Sequence, residues 1–174
     1  YNLTITSSFI ALSLILLFSF PNTYMEIQTI RESSFVIVNK ANNKLAYIEE
    51  GKVIEIFPVG TGKSNELTPE GVFTFIVKAK NPYYRKGNIP GGDPRNPLGS
   101  RWIGFDANGT DGRIYGVHGT NAPWSIGKYI SNGCVRMKNS DVERLYELVP
   151  LQSKIIITMS SKSFKQLAKE YSKL

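Results

Sequence analysis

The chain has 174 residues, 41% of them hydrophobic and 20% charged, enough to bury a core without covalent staples. That composition excludes a disordered chain, and a single cysteine excludes an intramolecular disulfide. A net charge of +7 admits polyanionic partners, but the basic residues are scattered apart from Lys162, Lys165, Lys169 and Lys173, and no nucleic-acid-binding motif accompanies them.

Tyr1 to Met25 carries no charged side chain, and Phe9–Phe20 (FIALSLILLFSF) is an almost unbroken apolar run ended by Pro21. Its length matches the apolar region of a signal peptide better than a full membrane span, and the run lacks the amphipathic pattern of a core helix. Extension through the flanking residues, over about 3–24, would make an uncleaved membrane anchor. Residues 1–25 are therefore expected to be a signal peptide or anchor, and the start with Tyr is read as a missing true start. Residues 26–34 read as a linker, 35–160 as the folded domain, and 161–174 as a C-terminal helix or tail.

The folded part opens with short apolar runs at Phe35–Asn39, Leu45–Ile48 and Val53–Val59, divided by turn signals at Asn42-Asn43 and Glu50-Gly51. This pattern predicts an antiparallel meander. Thr68-Pro-Glu-Gly71 is a turn before another strand, Val72–Val77. From Ala79 to Ser100 the chain has four prolines, four glycines and no periodicity, which fits a lid or binding loop better than a surface insertion. Tyr83, Tyr84, Arg85 and Lys86 would close it over a ligand. Strands follow at Arg101–Phe105 and Ile114–His118, and Asn121–Ile130 reads as a connection. Cys134–Met137 is expected to open the next strand. A helix capped by Asn139 or Ser140 carries Val142, Leu145, Tyr146 and Val149 at helical spacing and stops at Pro150. Lys154–Met159 is a closing strand, and Phe164, Leu167, Ala168 and Tyr171 mark a short amphipathic helix. The sum is a mainly-β fold, a sandwich or barrel-like arrangement.

Cys134 is the only cysteine and His118 the only histidine, sixteen residues apart. Without carboxylates they cannot complete a four-ligand zinc site. The chemical use left to them is a thiol nucleophile with an imidazole base. Taken singly, each residue has an ordinary structural reading: a small buried hydrophobe, a strand-end histidine. Their glycine neighbours favour the chemical one. Gly133 would let its own N–H and that of Cys134 point at one oxyanion. The Gly119 carbonyl would orient the imidazole. Arg136 lies on the same side of an extended chain as Cys134, placed to bind a carboxylate.

His118-Gly-Thr120 followed by Ser131-x-Gly133-Cys134-Val-Arg136-Met137 resembles the signature of the L,D-transpeptidase (YkuD-type) catalytic domain. Thr68-Pro-x-Gly-x-Phe73, Pro97-Leu-Gly99 with Arg101-Trp102, and Asn139 with Asp141 extend the resemblance over Phe35 to Met159. The short Bacillus-type members are the most similar; they carry a LysM module, where an apolar segment is expected here. The resemblance implies a YkuD-like β-sandwich, with one helix between the cysteine strand and the last core strand. It implies an exported enzyme working on peptidoglycan stem peptides. Cys134 would attack the carbonyl of the third residue and expel a terminal D-Ala, and the acyl group would pass to an amine of another stem in a 3→3 cross-link. His118 would be the base, Gly119 its orienter, Arg136 a substrate contact, and Ser131 a shaper of the nucleophile loop; Tyr84 is a further candidate contact. No metal, organic cofactor or nucleic acid is implied, and acylation by carbapenems is expected. Hydrolysis of stem peptides by the same residues, or non-catalytic wall binding through the basic surface, are the competing readings.

Overall fold

The computed structural model describes residues 34–173; the expected leader or anchor and the linker up to residue 33 lie outside them. The described residues form ten strands: β1 (Ser34–Asn39), β2 (Lys44–Glu49), β3 (Lys52–Pro58), β4 (Thr61–Gly62), β5 (Gly71–Lys80), β6 (Arg101–Phe105), β7 (Tyr115–His118), β8 (Tyr129–Ser131), β9 (Val135–Arg136) and β10 (Lys154–Thr158). Two α-helices, α1 (Asn139–Leu148) and α2 (Phe164–Tyr171), flank β10 in sequence. Eight strands form one sheet in the order β3-β2-β1-β10-β5-β6-β7-β9, and β4 pairs with β8 in a small parallel ribbon.

The expected β1–β2–β3 meander is there, in the antiparallel register Val36↔Tyr47 and Ala46↔Ile56. β10 then inserts parallel to β1, which leaves β1 central in the sheet. A central strand covered on both faces needs apolar residues throughout, and all six residues of β1 are buried. Val36 and Val38 point into the main core, whereas Phe35 and Ile37 point to the opposite face against Phe164, Leu167 and Ala168 of α2. A Ser163–Gln166 capping box starts that helix.

The mainly-β architecture is realised as a single curled sheet. Phe57 of β3 and Val135 of β9, at opposite ends of the strand order, belong to one core cluster. The two ends meet where Gly60, just beyond β3, pairs with Arg136 of β9. α1 packs Val142 and Leu145 into the same core, the helix expected between the cysteine segment and the last core strand. Lys78 donates to the carbonyls of Tyr146 (2.5 Å) and Val149 (2.8 Å) at its C-terminus. A cation there satisfies end carbonyls and opposes the helix dipole.

Local details differ from the sequence reading, and β5 runs on to Lys80, into the segment expected to be a loop from Ala79. The cap position of α1 is Lys138, with no side-chain cap, because the Asn139 side chain turns away to accept from the Ser100 and Thr120 N–H groups. Cys134 lies just before β9 instead of inside it. β4 and β8 are too short to show a periodicity, and β8 falls partly within the segment expected to be a connection.

Phe105 is fully buried and joins an aromatic cluster with Phe73 (5.7 Å between ring centroids), Phe75 and Tyr115 (both 6.2 Å). Phe105→Ala is expected to lower the free energy of unfolding by about 3–5 kcal/mol, read from urea denaturation, because the cluster cannot collapse into the void.

Candidate active site

Three strands build the site. β6 and β7 pair as Trp102↔His118 and Ile103↔Val117, and β7 and β9 pair in parallel as Val117↔Val135 and His118↔Arg136. Alternation along the strands sends Ile103, Val117 and Val135 into the core. It sends Trp102, His118 and Arg136 to the other face, where they line a cavity of about 630 Å³ together with Cys134, Ser131 and Tyr84. The structure thus brings together five of the seven residues singled out from sequence. Gly119 and Gly133 act beside the cavity through backbone.

His118 is 5% exposed and stacks on Trp102, with ring centroids 5.5 Å apart. Its Nδ1 lies 2.5 Å from the Gly119 carbonyl oxygen. A carbonyl only accepts, so Nδ1 carries the proton and Nε2 is the basic nitrogen. Gly119 has no room for a side chain: a Cβ would collide with Oδ1 of Asn139. Asn139 therefore clamps this loop from behind, through the Thr120 N–H (3.1 Å) and the Ser100 N–H (3.3 Å). Sequence reading had assigned Asn139 to helix capping. Its place two residues after Met137 is the signal that pointed to it, without its role.

The nucleophile loop is tied by Ser131. Its hydroxyl accepts from the Gly133 N–H (3.1 Å) and donates to the Cys134 carbonyl (2.7 Å). Gly133 adopts a φ of +133°, and a Cβ there would stand 2.5 Å from the Leu67 carbonyl oxygen. Only glycine fits that conformation and that contact. The pairing expected of the Gly133 and Cys134 N–H groups is not formed: Gly133 spends its N–H on Ser131. The Cys134 N–H has no hydrogen-bond partner among the described residues and remains for an oxyanion.

The Cys134 thiol donates to the Ile114 carbonyl at 3.4 Å. Burial pushes its pKa above the ordinary 9.0, with the Gly116 backbone and the charges of Arg136 and Lys86 working against the shift. Burial likewise lowers the His118 pKa from 6.5 to about 4; hydrogen bonds to the Gly119 and Leu98 backbone oppose this, and the Arg136 charge adds to it. The resting site is a neutral thiol beside a neutral imidazole. Burial wins over the nearby cations because each member would have to carry its charge out of water.

Arg85, Lys86, Arg113 and Arg136 line the cavity, and among the described residues no carboxylate does. The segment over it is pinned. Tyr84 and Ile89 exchange backbone hydrogen bonds, and the buried Asn96 side chain donates to the carbonyls of Pro82 (2.8 Å) and Pro90 (3.1 Å). Among the described residues no group of three or more His, Cys, Asp or Glu side chains is placed to hold a metal.

A curled mainly-β sheet thus presents a thiol, a carbonyl-oriented imidazole and an arginine in one cavity. Residues 33–157 match the family model of the YkuD L,D-transpeptidase catalytic domain, and the chain belongs to that family. It is 56% identical to the YqjB protein of Bacillus subtilis (strain 168) over 140 residues, covering 80% of each chain. With the YkuD protein of Bacillus licheniformis it shares 33% identity over 123 residues, 71% of this chain and 64% of that one. An L,D-transpeptidase from Mycobacterium smegmatis superposes with a TM-score of 0.57 at 21% identity, over 72% of this chain and 58% of that one. One from Stackebrandtia nassauensis gives 0.55 at 23%, over 75% and 58%. The last two likenesses are of fold.

The neutral pair sets a pH signature. His118 stays unprotonated, and able to accept a proton, down to about pH 4, whereas an ordinary imidazole protonates near 6.5. The thiol becomes thiolate by itself only above its ordinary 9.0. Alkylation of Cys134 by iodoacetamide is therefore expected to be slower at pH 7 than that of a free cysteine peptide and to climb with pH beyond 9. A thiolate-like plateau at pH 5–6, measured by intact mass against time, would show a charged pair instead.

Proposed function

We propose that the chain carries an acyl group between peptidoglycan stem peptides on Cys134. The observation that carries this reading is the shared cavity of Cys134, His118 and Arg136, with Nδ1 of His118 committed to Gly119. Sγ attacks the carbonyl of the donor's third residue while Nε2 of His118 takes the thiol proton. The tetrahedral oxyanion is held by the free Cys134 N–H. Its collapse breaks the C–N bond, and the imidazolium gives the proton to the leaving amine, which departs as the terminal D-amino acid. A side-chain amine of a second stem then attacks the thioester. His118 takes a proton from that amine and returns it to sulfur, leaving a 3→3 link and a free thiol.

Charge supports an anionic donor. Among the described residues four cations and no carboxylate line the cavity, which suits a peptide ending in a carboxylate. Arg136, paired in register with His118, is placed to read that terminus as a bidentate contact. The leading apolar run Phe9–Phe20 supports export and action outside the cytoplasmic membrane, as a secreted or anchored protein. Cell fractionation with intact-mass analysis separates these: a shortened soluble form excludes the anchor.

The activity test is a synthetic tetrapeptide donor with and without an acceptor amine. Wild type is expected to show a thioester mass adduct on Cys134 and, with acceptor, a cross-linked dimer. Cys134→Ala is expected to abolish both. Tripeptide without dimer would make the enzyme a carboxypeptidase; wall binding with no adduct at all would leave a non-catalytic binding domain. A carbapenem is expected to add its mass at the same sulfur.

A further inference from the structure

Lys40 lies just past the end of β1 and is 3% exposed. A buried ammonium is costly unless each of its protons is used. Here all three are: Nζ donates to the Asn65 carbonyl (2.7 Å) and the Thr68 carbonyl (3.0 Å), and pairs with Glu70 (3.0 Å). The charge thus sits inside the turn that joins β4 to β5, bonded to carbonyls on both sides of Leu67.

Leu67 is the residue whose carbonyl packs against Gly133, directly before the nucleophile. The same turn holds the nucleophile loop at one further point, where the Lys63 N–H donates to the Ser131 carbonyl (3.0 Å), and its Thr68 hydroxyl accepts from the Gly62 N–H (2.8 Å) in β4, the strand paired with β8. Lys40 also reaches β8 directly, since the Tyr129 hydroxyl donates to its carbonyl (2.6 Å). The Leu67 wall against the Cys134 loop therefore depends on one buried side chain that does not line the cavity, while β8 before the loop is tied to the backbone of the same residue.

We infer that Lys40 is a positioning residue: its ammonium fixes the Asn65–Thr68 turn, and that turn sets where the Cys134 sulfur stands relative to His118. Glu70 is half-exposed and serves the brace less than the two carbonyls do. The carbonyls are the groups that would otherwise be buried and unpaired.

This inference rests on the proposed acyl transfer for one of its two readouts and is independent of it for the other. Lys40→Met keeps the length of the side chain and removes its donors. In folded protein, well below its melting temperature, acylation of Cys134 by the tetrapeptide donor is expected to slow about 10- to 100-fold per titratable thiol, the scale of a misplaced nucleophile, with KM changed less than about twofold. Iodoacetamide alkylation is expected to move the other way, becoming faster as the sulfur leaves its recess. Glu70→Gln keeps both carbonyl bonds and is expected to stay within about twofold of wild type in both assays. Should Lys40→Met fail to fold, Lys40→Arg carries the test, because a planar guanidinium keeps the charge but cannot place donors on both carbonyls from the same position. Unchanged acylation and alkylation per thiol in a folded Lys40 variant would overturn the inference, as would a Glu70→Gln protein as impaired as Lys40→Met. If wild type is alkylated but never acylated, the proposed function fails while the alkylation arm still reads Lys40.

Discussion

The parallel pairing of β7 with β9 is the constraint on which the rest of the site depends. Two residue pairs are enough to fix it, Val117↔Val135 and His118↔Arg136. The first pair is anchored in the core, and because side chains alternate, the second must face the cavity. A shift of β9 by one residue would turn Arg136 toward the core and Val135 toward the cavity. β9 is only two residues long, so its own ladder could not hold that register. It is held from both sides by neighbours: Gly60 exchanges two 2.8 Å backbone bonds with Arg136, and the Met137 N–H reaches the His118 carbonyl at 2.9 Å. The curl of the whole sheet brings Gly60 there, which ties the geometry of the site to closure of the fold.

Burial then decides the chemistry. A thiol and an imidazole in water would titrate within a few units of neutrality and could exist as an ion pair. Here the two pKa values are driven apart in the direction that removes both charges. Arg136 and Lys86 favour the thiolate, yet the same Arg136 disfavours an imidazolium, so its effect on the ion pair partly cancels. In the proposed reaction the proton would accordingly move as sulfur attacks rather than beforehand.

Much of this was legible in the chain. The strand runs Phe35–Asn39 and Arg101–Phe105 were read with the boundaries of β1 and β6, except for Ser34, because period and β-branched or aromatic content agree there. The cysteine and the histidine were visible because each is unique and set beside glycine, and Arg136 because it stands two residues after the cysteine. What escaped was whatever depends on long-range placement. Asn139 looked like a helix cap, since local rules assign asparagine there; a loop nineteen residues earlier claims its side chain instead. Gly133 looked like an oxyanion donor until Ser131, two residues before it, proved to take its N–H. Lys40 gave no signal, for a lysine after a strand is ordinarily a solvated surface residue. β4 and β8 carry no pattern because two- and three-residue strands are made by their neighbours.

One feature of the electrostatics follows from what orients the base. In many thiol and hydroxyl nucleophile sites a carboxylate holds the imidazole and stabilises the imidazolium it becomes. Here the Gly119 backbone carbonyl does the holding, and among the described residues no Asp or Glu lines the cavity. A carbonyl fixes the tautomer as well as a carboxylate but offers only a dipole to the cation. The imidazolium is disfavoured chiefly by burial, which the hydrogen bonds to the Gly119 and Leu98 backbone only partly offset. In the proposed cycle a proton held so weakly would pass readily to the leaving amine, favouring collapse to the thioester. A carboxylate orienter would strengthen the base and, by the same charge, would repel the anionic terminus proposed as the ligand of Arg136.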